Sequence, residues 1–511
     1  MPWVGLETSR DARPWQHARV TLAAAAALVL VAQVSAAPRA VELNALLDRM
    51  VELSPELTEA MLAVRAAHAE ERRARAPFDW RLSGEALASQ SVYNAPDLGQ
   101  VLQAAEVRES LLLEKGFSTG TRASLSQRFL HGNQPNAIRP LEELLGLSTP
   151  DRYSYDVSTL TLTVTQPLLR GGGPDAALAA SRAALRGLDA ARLRRLEELA
   201  CAAVRAAAAY YALYVKEQEV QVAARAAERD AQELALTRKR IDLGIVPSSD
   251  LVRLQQSQVV RAERALAGKL AAADAERALR AELGWPTTGE PPIATVVSEV
   301  AKAPAAGPAR AASAAAAHNP GVLAARQEVE RRRERLKHLQ DAARPALDLS
   351  AFAGTTGFDL GSPDGALLEM ARVQHAVYGV GLTLSVPLDN ATAQADVQQA
   401  TAELQRAEAA LRRAEQEASR AAVAAAEAAE NAAARLELAA RSVALAKEAL
   451  AAEQNRYGQG RGTLFDVLTA ENAVSDAERR HAQVQADLLL ARFSLSAVTG
   501  DLSLRLAGVE P

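Results

Sequence analysis

Two hydrophobic periods divide the chain between them. Over one long stretch Leu199, Ala206, Leu213, Val220, Ala227, Leu234 and Ile241 recur at every seventh position. Leu436, Val443, Leu450 and Tyr457 repeat that register, each 216 positions after Val220, Ala227, Leu234 and Ile241. A seven-residue repeat lays one apolar seam along a helix, so the pattern predicts two very long helices that pack side by side. Elsewhere the period falls to two. Leu160, Leu162 and Val164 alternate with Thr161, Thr163 and Thr165, and Tyr378, Val380, Leu382, Leu384, Val386 and Leu388 with Gly379, Gly381, Thr383 and Ser385. Phe78, Trp80 and Leu82 alternate with Asp79, Arg81 and Ser83, and Leu347, Leu349 and Ala351 with Asp348 and Ser350. These segments read as four strands, each with one apolar and one polar side.

The same order of elements is written twice. Leu53-Ser54-Pro55 opens a charged helical run closed by Pro77, and His318-Asn319-Pro320 opens another closed by Pro345. Ser54 and Asn319 are suited to cap helices whose first residue is proline. Pro167 and Pro387 mark the passage from strand to long helix, and the turns Leu243-Gly244-Ile245 and Gln459-Gly460-Arg461 end those helices. Second helices begin near Ser249-Asp250 and Thr463-Leu464 and end at Gly284 and Gly500. The chain thus divides into a first repeat at 37–285, a Pro-, Ala- and Gly-rich linker at 286–310, a second repeat at 311–502 and a tail at 503–511.

Composition fits this reading. Aromatic residues are 4% of the 511 while 49% are hydrophobic, and alanine is roughly a fifth of the chain, which favours long, closely packed helices over a bulky core. The formal charge is -4, with 58 basic and 62 acidic residues interleaved, and no nucleic-acid partner is expected. Arg10, Arg13 and Arg19 precede an apolar stretch from Val20 to Val34 that ends in Ser35-Ala36-Ala37, so residues 1–36 read as a cleaved export signal. The single cysteine, Cys201, lies far from this site, so no N-terminal lipid anchor is expected. After residue 37 there is no further long apolar run. An exported chain of this kind can enter a membrane only as strands closed into a barrel. Four strands are too few to close one, so identical chains must supply the rest. The first repeat also carries an insertion, with 90 positions from Pro77 to Pro167 against 42 from Pro345 to Pro387. Within it Val107 to Leu113, a turn at Lys115-Gly116-Phe117-Ser118-Thr119-Gly120, and Ala123, Leu125 and Phe129 outline an extra hairpin, either an extracellular hairpin or extra barrel strands.

At this point the residues resemble a known family, the TolC-like outer-membrane efflux proteins, over about residues 40 to 502. The resemblance is carried by Arg456-Tyr457-Gly458-Gln459-Gly460 followed by Thr463-Leu464-Phe465-Asp466-Val467-Leu468, by Arg240-Ile241-Asp242-Leu243-Gly244 with Ser249-Asp250-Leu251, and by the proline-leucine pairs at the strand-to-helix junctions. It implies a mainly α fold with a β-barrel portion: antiparallel coiled-coil helices forming an α-barrel across the periplasm, a trimeric barrel in the bacterial outer membrane, and two internal repeats. The function it implies is an exit duct for efflux or type I secretion, served by a periplasmic adaptor and an inner-membrane RND or ABC transporter, without enzymatic activity, cofactor or metal. Leu243, Gly244 and Ile245 with Gln459, Gly460 and Arg461 would be the adaptor-binding tips. Thr161, Thr163, Thr165, Thr383 and Ser385 would face the barrel lumen. Asp466, Asp250, Tyr457 and Ser249 would form the gate, with Asp466 in a ring at the pore axis and Tyr457 bonded to Asp250 across a chain boundary. Thr469 and Gly462 depart from the family's gate pattern.

No Ser-His-Asp order, phosphate loop or metal spacing supports an enzyme. Gly171-Gly172-Gly173-Pro174 lacks the lysine of a phosphate loop and reads as a strand-to-helix turn. Cys201 reads as a small packing residue, and Tyr210, Tyr211 and Tyr214 as a packing belt at mid-height. The rival from another class is an exported periplasmic coiled-coil protein of structural type, which shares the heptads but has no use for the strands.

Overall fold

The computed structural model describes residues 39–95, 100–136, 139–242, 248–286, 292–297 and 307–506. The expected export signal at 1–36 and the first glycine turn, Leu243, Gly244 and Ile245, lie outside the described residues. In chain order the elements are β1 (Arg39–Val41), α1 (Leu43–Leu53), α2 (Pro55–Arg75), β2 (Trp80–Ala95), β3 (Gln100–Gly116), β4 (Arg122–Pro135), α3 (Arg139–Leu144), β5 (Arg152–Pro167), α4 (Gly173–Asp242) and α5 (Ser248–Glu282). They continue with β6 (Ile293–Thr295), α6 (Pro308–His318), α7 (Pro320–Ala342), β7 (Ala346–Asp359), α8 (Pro363–Ala371), β8 (Ala376–Ser385), α9 (Ala391–Gly458), α10 (Leu464–Val498) and α11 (Asp501–Leu506). The fold is mainly helical with a sheet portion. The two long helices expected from the heptads are α4, of 70 residues, and α9, of 68.

The chain separates into two compact units. One comprises Glu59–Glu198, Ala311–Ala422 and the residues from Val498 on. It holds a six-stranded antiparallel sheet in the order β2-β3-β4-β5-β7-β8. The described residues give this sheet six strands, not four, because the insertion folds as β3 and β4 between β2 and β5. Phe78 belongs to a 3-10 turn at Ala76–Phe78, and the strand starts at Trp80. Proline explains the limits of the sheet: lacking an N–H, it stands in that turn at Pro77, at the last position of β5 at Pro167, before β7 at Pro345 and beyond β8 at Pro387. On the outer part of β5 and β7 the short helix α8 covers buried Asp156 and Ser158, the Ser158 hydroxyl meeting Met370 Sδ at 3.1 Å. α8 turns Leu367 and Leu368 outward. Asn319 caps α7, its side-chain oxygen accepting from the N–H groups of Gly321 and Val322.

The other unit comprises the residues up to Thr58, Leu199–Arg310 and Val423–Ala497. The residues read as a linker include β6, which pairs in parallel with β1. Tyr210 anchors this pair: its hydroxyl lies 3.0 Å from the Val41 carbonyl and 2.9 Å from that of Val296, and it accepts from the Val296 N–H at 2.8 Å. Burial pushes the Tyr210 phenol up to about 12, so it remains a donor. Tyr211 meets Tyr210 edge-on, and Tyr214 bonds Gln485 of α10 at 3.0 Å, so each tyrosine makes a packing or hydrogen-bonding contact within this unit. Cys201, expected to pack, is exposed on the single chain. Ser54 and Asn319 each follow further helix, α1 and α6, which the prolines had concealed. The tail boundary at 502 likewise falls inside α11. Among the described residues no helix is long and apolar enough to cross a membrane.

Candidate functional site: the second helical turn and the cluster behind it

The end of α9 is built by its backbone. Gly460 sits at φ 73°, where an L side chain is strained. Arg461 N–H donates to Arg456 O at 2.9 Å and Gly460 N–H to Tyr457 O at 3.1 Å, a pair of bonds that closes a helix with a left-handed residue. The turn leaves Gln459, Gly460 and Arg461 exposed. α10 then starts with reciprocal capping: the Thr463 hydroxyl and N–H both donate to Asp466 Oδ2, at 2.7 and 3.1 Å, and Asp466 N–H donates back to Thr463 Oγ1 at 3.3 Å. These bonds hold the Asp466 carboxyl below the usual carboxylate range, so this exposed group is ionised at neutral pH. Phe465 beside it is also exposed.

Tyr457 points the other way. It is buried with Leu254, Leu450, Leu464, Val467 and Val474, which ties the end of α9 to α5 and α10 within one chain. Asp250 lies in the first turn of α5, where the helix dipole favours an acid, and Ser249 beside it is exposed. Thr161, Thr163 and Thr165 share one face of the sheet with Thr383 and Ser385, as the pairings of Thr165 with Ser350, Ser350 with Gly381, and Ala346 with Ser385 require. Leu160, Leu162, Leu382 and Leu384 share the other. The lumen set therefore stands together on one surface.

Behind the turn lies a cluster that the sequence reading missed. Arg261 of α5 reaches Asp230 of α4 at 2.8 Å and Glu471 of α10 at 3.0 Å. The exposures are 7% for Arg261, 1% for Asp230 and 3% for Glu471. Two carboxylates thus share one guanidinium out of water. Burial drives the Asp230 carboxyl up to about 6, Arg261 pulls it back, Glu471 adds to the rise, and Arg229 opposes it. The heptad gave no signal of it: Ala227 is exposed and Val222, Ala226, Asp230 and Thr237 are buried instead, on a face roughly half a turn from that of Leu199. Among the described residues no group of three or more His, Cys, Asp or Glu could hold a metal ion.

Comparison with known proteins places this geometry. Residues 311–501 match the outer membrane efflux protein family. The fold resembles the outer membrane protein VceC of Vibrio cholerae, with a TM-score of 0.59 and 20% identity over 90% of this chain and 96% of that one. It also resembles the CmeC outer membrane channel of Campylobacter jejuni, at 0.62 and 14% over 90% and 85%. A third likeness is the MtrE outer membrane channel of Neisseria gonorrhoeae in its open state, at 0.58 and 17% over 90% and 88%. No curated protein matches the chain by sequence.

Proposed function

We infer that this chain, whose residues 311–501 match the outer membrane efflux protein family, is an exit duct of the bacterial outer membrane. The observation that carries the reading is the two-faced sheet attached to helices of 70 and 68 residues. A sheet with an exposed apolar face and a polar face has the surface of a barrel wall in lipid, while the helices, too polar to cross a membrane, belong in the periplasm. Three copies close the duct. A periplasmic adaptor docks on the exposed turn at Gln459, Gly460 and Arg461 and on its counterpart at Leu243, Gly244 and Ile245, and an inner-membrane RND or ABC transporter loads the cargo. The duct passes substrate without chemistry of its own.

Fractionation and planar-bilayer recording of the purified protein test this. The expected result is recovery from the outer membrane and discrete channel events; recovery as a soluble periplasmic protein without channels would favour a structural coiled coil. Gly460→Trp probes the tip. Open space around Gly460 leaves only backbone strain of about 1–2 kcal/mol, so the variant should assemble and lose export. Export at the wild-type rate would remove the tip assignment.

A further inference from the structure

The hairpin of β3 and β4 can be placed by three independent features. The first is register. Leu82 pairs with Leu113, Leu113 with Leu125 and Leu125 with Leu162, so an apolar row runs without a break from β2 through the hairpin to β5. One position along, Arg81, Glu114, Ser124 and Thr163 form a polar row in the same way. The hairpin therefore carries both faces of the sheet in phase with its neighbours. Leu112 and Leu130 are apolar exceptions on the polar face, and Gln127, paired with Leu111 and Leu160, and Glu109, paired with Ala86 and Phe129, mark where the apolar band ends.

The second feature is the position of the turn. Residues 117–121 lie against the junctions where strands become helices. Lys115 Nζ donates to the Phe78 carbonyl at 2.5 Å and stands 5.5 Å over the Trp80 ring. Thr121 Oγ1 donates to Gln166 at 2.5 Å, and Gly173 N–H donates to Thr119 O at 3.0 Å. Gly120, at φ 84°, lies so close to the Gly171 carbonyl that a side chain would collide. A hairpin hung from the extracellular rim would turn at the opposite end of the sheet. This one turns at the helical end and so runs the full height of its neighbours.

The third feature is the edges. β2 and β8 end the sheet, and each lacks a strand partner on its outer side among the described residues. Trp80 and Leu82 on one edge strand and Leu382 and Leu384 on the other are 64% to 69% exposed on the apolar face. An open edge cannot stand in lipid. β8 runs opposite in direction to β2, because every neighbouring pair between them is antiparallel. A second copy can therefore add its β2 to β8 and continue both faces.

We propose that β3 and β4 are membrane strands, that β8 of each copy pairs with β2 of the next, and that three copies close a barrel of eighteen strands. This rests on the reading of the chain as a trimeric outer-membrane duct. With strands about 4.8 Å apart and tilted by about 40°, eighteen close at a diameter of about 36 Å between backbones, against about 24 Å if the hairpin stood outside the wall. The hairpin thus widens the outer mouth by half.

Spin labels decide the matter. In a Cys201→Ala background, single cysteines at Leu111, Leu125, Ser110 and Ser126 are labelled in the full chain in phosphatidylethanolamine–phosphatidylglycerol vesicles, with Leu162 and Thr163 as controls on β5. Labels at 111, 125 and 162 should collide with oxygen dissolved in the lipid, and those at 110, 126 and 163 with an aqueous nickel chelate. Native mass measurement should give three chains. If 162 and 163 alternate while all four hairpin positions meet the chelate, the hairpin is outside the membrane and the proposal is overturned, with the duct intact. If 162 and 163 do not alternate, the duct reading fails and this inference with it. A copy number other than three overturns the count of eighteen.

Discussion

The sheet and the cluster behind the second turn solve opposite problems. In the sheet, polar and apolar side chains are sorted to two surfaces, and most remain at least partly accessible on the single chain. At Arg261, Asp230 and Glu471 charges are instead taken out of water and held by one another. A strand places alternate residues on opposite sides, so Leu382 and Thr383 differ in surroundings merely by being neighbours. A helix has no such fixed parity. On α4 the buried side changes along the helix, so that Asp230 is buried where the heptad would have kept Ala227. The sheet is thus insensitive to which polar residue occupies its polar face, while the cluster depends on the identity of each member.

Substituting Arg261 should break this contrast most severely. Arg261→Met keeps much of the side-chain volume and leaves Asp230 and Glu471 as two buried carboxylates with no guanidinium between them. Breaking a buried pair by removing one partner costs about 3–5 kcal/mol. A marked fall in the thermal midpoint of the assembled protein at pH 7.5 is expected, smaller at acid pH where the carboxylates take up protons. A midpoint unchanged at both would show that the pair is solvated in the assembly.

The sheet gives the next largest effect, and on one side only. Leu382→Arg puts a charge on the apolar face, at a cost of about 2–4 kcal/mol near the bilayer midplane, whereas Thr383→Arg adds one to the polar face and should be tolerated. The measurement is the amount of each variant recovered in the outer membrane. Equal recovery would mean that the apolar face does not meet lipid.

What was legible in the sequence follows the same division. Alternation gave the faces of β5, β7 and β8 and the sharing of one surface by Thr161, Thr163, Thr165, Thr383 and Ser385, because a period of two survives any twist of the strand. Prolines and glycines gave the ends of the long helices and the Gly460 turn. The hairpin at β3 and β4 was visible as a hairpin, but its place was not, since alternation looks the same in a loop as in a wall. That choice is made by contacts far apart in sequence, such as Thr121 with Gln166 and Gly173 with Thr119. The short pairing of β1 with β6 was hidden for a related reason: three residues on each side carry no period, and their anchor is the Tyr210 hydroxyl on another element. The charged cluster escaped because each of its members, taken alone, is an ordinary charged residue on a charged helix.

A gentler probe of the cluster is Asp230→Asn. The folded carboxyl titrates at about 6, above the ordinary range near 4, so the folded state holds its proton where the unfolded chain has lost it. Stability must then fall as pH rises through that window, and Asp230 contributes most favourably below it. The amide cannot titrate and leaves Arg261 paired with Glu471. The thermal midpoint of the variant between pH 4 and 7 should therefore lack the slope that Asp230 gives the wild type; an identical slope would assign it to another group.

The smallest change in stability is expected at Asp466, where the functional stake is greatest. In the single chain this carboxylate caps α10, accepting from the Thr463 hydroxyl and N–H, so its removal should move the midpoint little. The same bonds keep it charged well into the acid range. If three copies bring their Asp466 side chains to the pore axis, the ring is a fixed negative charge that attracts cations and lets multivalent ones plug the opening. Capping and ring are separable because a cap acts on its own helix and a ring acts on ions. Asp466→Ala should leave the assembled protein intact, lower its cation selectivity and abolish block by multivalent cations in single-channel recording. The turn at Gly460 and the buried Tyr457 should remain as they are, since neither contributes to the cap. Selectivity and block equal to those of the wild type would leave Asp466 as a helix cap alone and move the search for the constriction to other exposed residues of the turn.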